Sequence, residues 1–210
     1  WGRLKQLQLE ADAEQVSTIN ARITLKAGEV ESKWGRLEQL HLEADAEQVS
    51  TNEIRCKATV RAARLKSEWA QANAIHLRGD WKHRPHELMP YEANLGLEGA
   101  QFVSRWAKAD ALALKVSGNP ASDWLAMDDP ALGPWNHQLP YAFDMACEAT
   151  HIEAQSLQAA TLGLTARWDA PRLSITQLHG QLAGGRAIMD ADLDVLTRKL
   201  TLDGQANLDF

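Results

Sequence analysis

The chain has 210 residues, 45% of them hydrophobic and 24% charged, which excludes a disordered polypeptide. Its 28 acidic residues against 22 basic ones give a net charge of −6, which argues against nucleic acid as a partner, because phosphate binding needs a basic face. No run of about 18 apolar residues is present, so no membrane-spanning helix is expected. Cys56 and Cys147 are too few for a disulfide framework and lack metal-ligand spacing.

The first element announces a repeat. Trp1 to Thr18 reads WGRLKQLQLEADAEQVST, and Trp34 to Thr51, 33 residues later, reads WGRLEQLHLEADAEQVST. The copies differ only at Lys5 against Glu38 and Gln8 against His41. Between them Ile19, Ala21, Ile23, Leu25 and Ala27 alternate with polar residues, the period-two mark of a half-buried strand. At Val30 the apolar positions pass from odd to even. One fixed change of parity per repeat predicts a bulge or tight turn there, since one extra residue exchanges the two faces.

The later copies are spaced by their tryptophans. Trp69 follows Trp34 by 35 residues and Trp106 follows Trp69 by 37, each preceded by an apolar-x-Ser-x motif ending at Trp: Val30-Glu-Ser32-Lys-Trp34, Leu65-Lys-Ser67-Glu-Trp69 and Phe102-Val-Ser104-Arg-Trp106. Six residues on stand Leu40 and Leu42, Ile75 and Leu77, and Leu112 and Leu114. The alternating strands Ile54 to Ala62, Tyr91 to Gly99 and Tyr141 to Ala149 precede parity changes at Leu65, Phe102 and Ile152. A fifth copy, with Ile152, Ala154, Ser156, Leu162 and Leu164, comes 50 residues after the fourth. The added length is assigned to a Pro- and Trp-rich insertion, 118–140, at one strand end, in which Ser122 would cap a helical turn through Met127.

Near the end, Leu178 to Leu182 and Ala187 to Val195 read as a hairpin about Gly184-Gly185. A turn at Thr197-Arg198-Lys199 leads to a further strand from Leu200. The prediction is an all-β chain: one elongated, twisted antiparallel sheet built from two-strand repeats of about 33–37 residues, curled into an open groove. The alternative is an α-solenoid, since the duplicated unit is rich in the helix formers Ala, Leu, Glu and Gln. The alternating β-branched halves favour the sheet. The tryptophans Trp34, Trp69 and Trp106 are expected on the apolar side, stacked as a ladder across strands.

Catalytic chemistry finds little support. His83, His86 and Glu87 carry metal-ligand atoms, but Pro85 blocks helical placement and no distant third ligand suggests itself. Asp123, Asp128 and Asp129 read as solvated loop acids. Ser32, Ser67 and Ser104 recur in every copy, as a structural position does and a nucleophile does not. No nucleotide-binding glycine pattern or Gly-x-Ser-x-Gly motif is present. The chain is expected to be neither an enzyme nor the holder of a metal or cofactor.

From Leu173 onward the phrases Gly180-Gln-Leu-Ala-Gly-Gly185, Asp192-Leu-Asp194 and Leu200-Thr-Leu-Asp-Gly204 resemble the repetitive β regions of the AsmA-like family of bacterial envelope proteins. So do Gly28-Glu-Val-Glu-Ser-Lys-Trp-Gly-Arg-Leu37 and Leu40-His-Leu42. The resemblance implies a trough-shaped sheet crossing the periplasm, anchored in the inner membrane through a segment not present here, that conducts phospholipid or another acyl-chain lipid between inner and outer membranes. The chain, 1–210, would then be one groove segment of a longer protein, touching membranes through its other parts. The lining is assigned to Ile23, Leu25, Leu40, Leu42, Val60, Leu65, Trp69, Ile75, Leu77, Leu95, Leu97, Phe102, Trp106, Leu112 and Leu114. The competing reading is an extracellular stalk or adhesin-type repeat protein with a self-buried core.

Overall fold

The computed structural model describes residues 3–15, 19–33, 35–85, 87, 90–120, 141–155, 157–169, 171–182 and 185–207. The strands are β1 (Arg3–Lys5), β2 (Gln8–Gln15), β3 (Ile19–Ser32), β4 (Gly35–Ser50), β5 (Glu53–Lys66), β6 (Ala70–His83) and β7 (Glu92–Ser104). They continue as β8 (Lys108–Pro120), β9 (Tyr141–Ala154), β10 (Leu157–Asp169), β11 (Arg172–Leu182), β12 (Gly185–Asp194) and β13 (Lys199–Asn207). All join one open antiparallel sheet in chain order. β1 and β2 lie end to end along the same edge of β3, so the sheet has twelve ribbons.

No described residue is helical, and the α-solenoid alternative fails. The helix formers of the duplicated unit are overridden because intrinsic preferences differ by less than about 1 kcal/mol per residue. In β4 the residues Leu37, Leu42, Ala44 and Ala46 instead find an apolar cross-strand partner on each side. Leu25 lies between Leu9 and Leu42, and Ile23 between Ala11 and Ala44. The two near-identical strands therefore flank β3 with the same residues at the same heights.

Strands β4, β6, β7 and β9 are creased by a left-handed residue, as is the junction of β1 with β2. Gln6, Gln39, Ala74, Gln101 and His151 have positive φ, between 48° and 55°, and lie at about the same level across the sheet, with Gly28 facing the first two in β3 and the register of β6 on β7 shifting there. The register of β3 on β4 runs unshifted from Asn20 opposite Glu47 to Ser32 opposite Gly35. The crease is thus a matched reversal in both strands, and the apolar side stays continuous across it: Ala27 opposite Leu40 on one side, Val30 opposite Leu37 on the other.

The hairpin turns at the rim nearest the crease explain the recurring serine. The Ser67 hydroxyl donates to the Ala70 carbonyl at 3.0 Å and accepts from the amides of Trp69 at 3.2 Å and Ala70 at 3.0 Å. Ser104 makes the same three bonds with Ala107, Trp106 and Ala107 at 3.0, 3.2 and 3.0 Å. Each serine therefore satisfies the turn's own backbone groups, as a short hydroxyl side chain does well.

The insertion begins later than its composition suggests. Gly118, Asn119 and Pro120 continue β8 and pair with Phe143, Ala142 and Tyr141 of β9. The expected helical turn at Ser122 and the acids Asp123, Asp128 and Asp129 lie outside the described residues. The terminal strands pair as expected, residues 183–184 of the first hairpin lying outside the described residues, and the last turn is held by Asp194, whose carboxylate accepts from the amides of Leu196 and Thr197 at 3.0 Å each.

Candidate functional site

Successive residues of a strand point to opposite faces, so the pairing register sorts every side chain. One face is apolar from edge to edge. A single row runs Leu9, Leu25, Leu42, Val60, Leu77, Leu97, Leu114, Cys147, Leu164, Leu178 and Met189. Parallel rows lie on both sides of it. One passes through Ile23, Leu95, Val116, Met145, Ile175 and Leu202, and another through Ala27, Leu40, Leu112, Ala149 and Leu162.

Eleven inter-ribbon spacings of about 4.8 Å and a usable strand length near 20 Å give this face an area on the order of 1,000 Å². Monomeric soluble proteins rarely expose a contiguous apolar patch beyond a few hundred Å². Its buried members are mostly alanines, Ala27, Ala62, Ala72, Ala109, Ala149, Ala159 and Ala166, with Ile152 near the crease and Trp168 toward the opposite rim. Large side chains rise out of it: Ile23 is 43% exposed and Leu95 45%. Among the described residues no second layer covers it.

Thirteen of the fifteen residues assigned to a lining share this face: Ile23, Leu25, Leu40, Leu42, Val60, Leu65, Ile75, Leu77, Leu95, Leu97, Phe102, Leu112 and Leu114. The other two require correction. Trp69 lies in the turn between β5 and β6 and Trp106 in the turn between β7 and β8, 50% and 57% exposed, at one rim of the sheet. The expected tryptophan ladder across strands is therefore absent at these two positions. The serine turn uses the residues just before and at each tryptophan as its loop, which takes the indole out of the strand. The Arg105 guanidinium sits 4.1 Å from the Trp106 ring centroid. Trp34 lies outside the described residues.

Among the described residues, Phe102 stands in the apolar rows near the crease, and Trp81, Phe143 and Trp168 stand in them toward the opposite rim. Trp168 is 3% exposed and stacks on Phe143 with ring centroids 6.4 Å apart. The signal was present in the sequence, since Trp81 closes the alternation Ile75, Leu77, Gly79, and Trp168 closes Leu162, Leu164, Ala166.

The other face is charged, with ion pairs laid across neighbouring strands. Arg55 donates to both carboxylate oxygens of Asp80 at 3.1 and 2.6 Å, and this holds the Asp80 carboxyl below its ordinary range. Arg22 meets Asp45 at 2.6 Å, Lys82 meets Glu92 at 2.9 Å, and Glu29 is held between Lys5 at 2.9 Å and Arg36 at 2.6 Å. Contact with Lys5, then with Arg36, lowers the Glu29 carboxyl. A shallow concavity of about 510 Å³ opens on this side, bordered by His76, Arg78, Glu98, Lys115 and Asp144.

Among the candidate ligands, His83 Nδ1 lies 3.0 Å from the Arg84 carbonyl and Glu87 pairs with Arg84 at 2.7 Å, while His86 is outside the described residues. Cys56 and Cys147 are unpaired and partly buried in the apolar face; burial pushes both thiols up, away from the reactive thiolate. No helix of the described residues is long and apolar enough to cross a membrane. No protein-family model matches the chain, and neither a curated protein nor a solved structure matches it.

Proposed function

We propose that this chain is the groove segment of an AsmA-like conduit, in which the apolar face shields the acyl chains of phospholipid or a similar lipid moving between the inner and outer membranes across the periplasm. The observation that carries this reading is the unbroken apolar row from Leu9 to Met189, exposed at Leu9 and Leu77, half-buried elsewhere, and without a covering layer among the described residues. Covering such a face with hydrocarbon is favourable by about 0.8 kcal/mol per buried methylene. Equivalent rows on every ribbon also give a sliding chain no single tight site in which to stall. The resemblance of Gly180 to Gly185 and Leu200 to Gly204 to that family supplies the location, with anchoring by a segment outside this chain.

Leu97→Asp tests the reading. Leu97 lies mid-row between Leu77 and Leu114. In a wet groove the new carboxylate stays hydrated and the sheet keeps its fold, with a loss of about 1 kcal/mol or less, whereas an unpaired charge in a dry core costs about 3–5 kcal/mol. Passing acyl chains would have to strip the water from that carboxylate, so transport stops. The expected result is a lipid adduct from a photoreactive residue at position 97 in cells, and a preserved melting transition with lost lipid transport in Leu97→Asp. No adduct together with a collapsed melt would instead favour the stalk or adhesin with a self-buried core.

A further inference from the structure

We infer that the edge formed by β1 and β2, which no other described strand pairs, is a docking edge for one further antiparallel strand of the β3 kind, basic in its first half and acidic in its second.

The molecule contains its own template for this contact. The β1–β2 segment and β4 belong to the duplicated unit, run in the same direction, and lie on opposite sides of β3. Under the 33-residue shift that relates them, the outer edge of β2 corresponds to the edge of β4 that seats β3 along 13 residues, from Asn20 opposite Glu47 to Ser32 opposite Gly35. The inner edge of β2 corresponds instead to the edge of β4 that seats β5. The same backbone pattern that is filled in β4 is thus open in β2, where residues 8–13 are all exposed. The crease is reproduced as well, with φ of 55° at Gln6 and 53° at Gln39.

Charge names the occupant. On the polar face β4 sets Asp45 against Arg22 of β3, with a contact of 2.6 Å. The shifted position is Asp12, so the docked strand carries a cation there. Beyond the crease β4 sets Glu38 against Glu29, a like-charge pair relieved by Arg36. The shifted position is Lys5, which already holds Glu29 from the other side and suits an acid in the docked strand better than Glu38 does. Like charges directly opposite are destabilising and opposite charges are stabilising, so the edge selects polarity as well as sequence. Main-chain bonds supply affinity in strand addition, and the alternating side chains supply specificity. The inference does not depend on the lipid reading.

The test adds a synthetic peptide of residues 19–32, INARITLKAGEVES, to the intact chain and follows amide hydrogen exchange. Exchange in residues 8–13 is expected to slow by about tenfold or more at saturating peptide, with no change in β13, the other free edge. A peptide carrying Arg22→Glu and Lys26→Glu should bind about tenfold more weakly or worse, a difference that shrinks with added salt. The inference is overturned if β2 exchange does not slow, or if a scrambled peptide or β13 responds equally. Loss of protection in the protein's own β3 would mean strand exchange and would also overturn it. So would slowing that needs no peptide and grows with protein concentration, which would assign the edge to a second copy of this chain.

Discussion

Ser67 and Ser104 each hold a turn with one hydroxyl and three short hydrogen bonds. Ser104→Ala leaves the amides of Trp106 and Ala107 without that acceptor. The expected loss is about 1 kcal/mol, the net value of such bonds, with faster amide exchange confined to that turn. Positive φ at Ala74 has the opposite consequence. An alanine in the left-handed region costs about 1–2 kcal/mol that glycine avoids, so Ala74→Gly should raise the urea midpoint although glycine normally weakens strands. The recurrence of the serines was legible as structural, because identical chemistry in every copy is a turn requirement. The tryptophans were misread because a large apolar residue was counted with the strand parity. Their place is fixed by hydrogen bonds two and three residues away, which hydrophobic pattern does not register.

At the scale of the strand, the parity change was the most informative feature of the sequence. The parity changes at Phe102 and Ile152 required a local reversal, and the left-handed residues Gln101 and His151 supply it; for the change between Ala27 and Val30 the left-handed residue is Gln39, in the neighbouring strand. That the reversal would line up across ribbons was not legible, since it depends on registers that only the pairing of strands defines. One of the two differences within the duplicate also becomes intelligible at this scale: Lys5 faces only Glu29, whereas Glu38 must face Glu29 on one side and Arg64 on the other. Between β5 and β6 the paired groups are Arg55 and Asp80. Because Arg55 lowers the Asp80 carboxyl, its contribution is whole above the unfolded carboxylate value, about 4, and is lost as pH falls through the lower folded value. Asp80→Asn should therefore be less stable than the parent at pH 7, by under about 1 kcal/mol for so exposed a pair, and should converge with it in acid. Urea midpoints measured from neutral pH to pH 2 check both parts.

For the whole molecule the decisive property is openness. β5 and β9 stand four ribbons apart, so Cys56 and Cys147 lie about 19 Å apart along the sheet, far beyond the 7 Å limit for a disulfide. Denatured, unreduced protein should titrate two thiols, and spin labels at these positions should report a separation of about 20 Å or more. A markedly shorter distance would mean that the sheet closes on itself and hides its apolar face. The sheet and its apolar side were readable from alternation alone. Phe102 and Phe143 were readable in the same way, whereas Trp81 and Trp168, each closing an alternation, were passed over because they lie outside the tryptophan spacing that defined the repeat.

The duplicate has a consequence for ancestry. Residues 17–18 and 50–51 are both Ser-Thr, so excising 19–51 joins Thr18 to Asn52 and recreates the VST-NEI junction that already exists. The excised span holds one descending and one ascending strand, so β1 and β2 would inherit the seat of β4 beside β5 with direction and facing intact. The remaining mismatch would be Lys5 against Arg64, where Glu38 now stands. Gain or loss of this cassette by unequal crossing-over thus lengthens or shortens the sheet in steps of about 10 Å without inverting it. The span of the molecule is in this sense a heritable quantity, set by copy number before any side chain is selected.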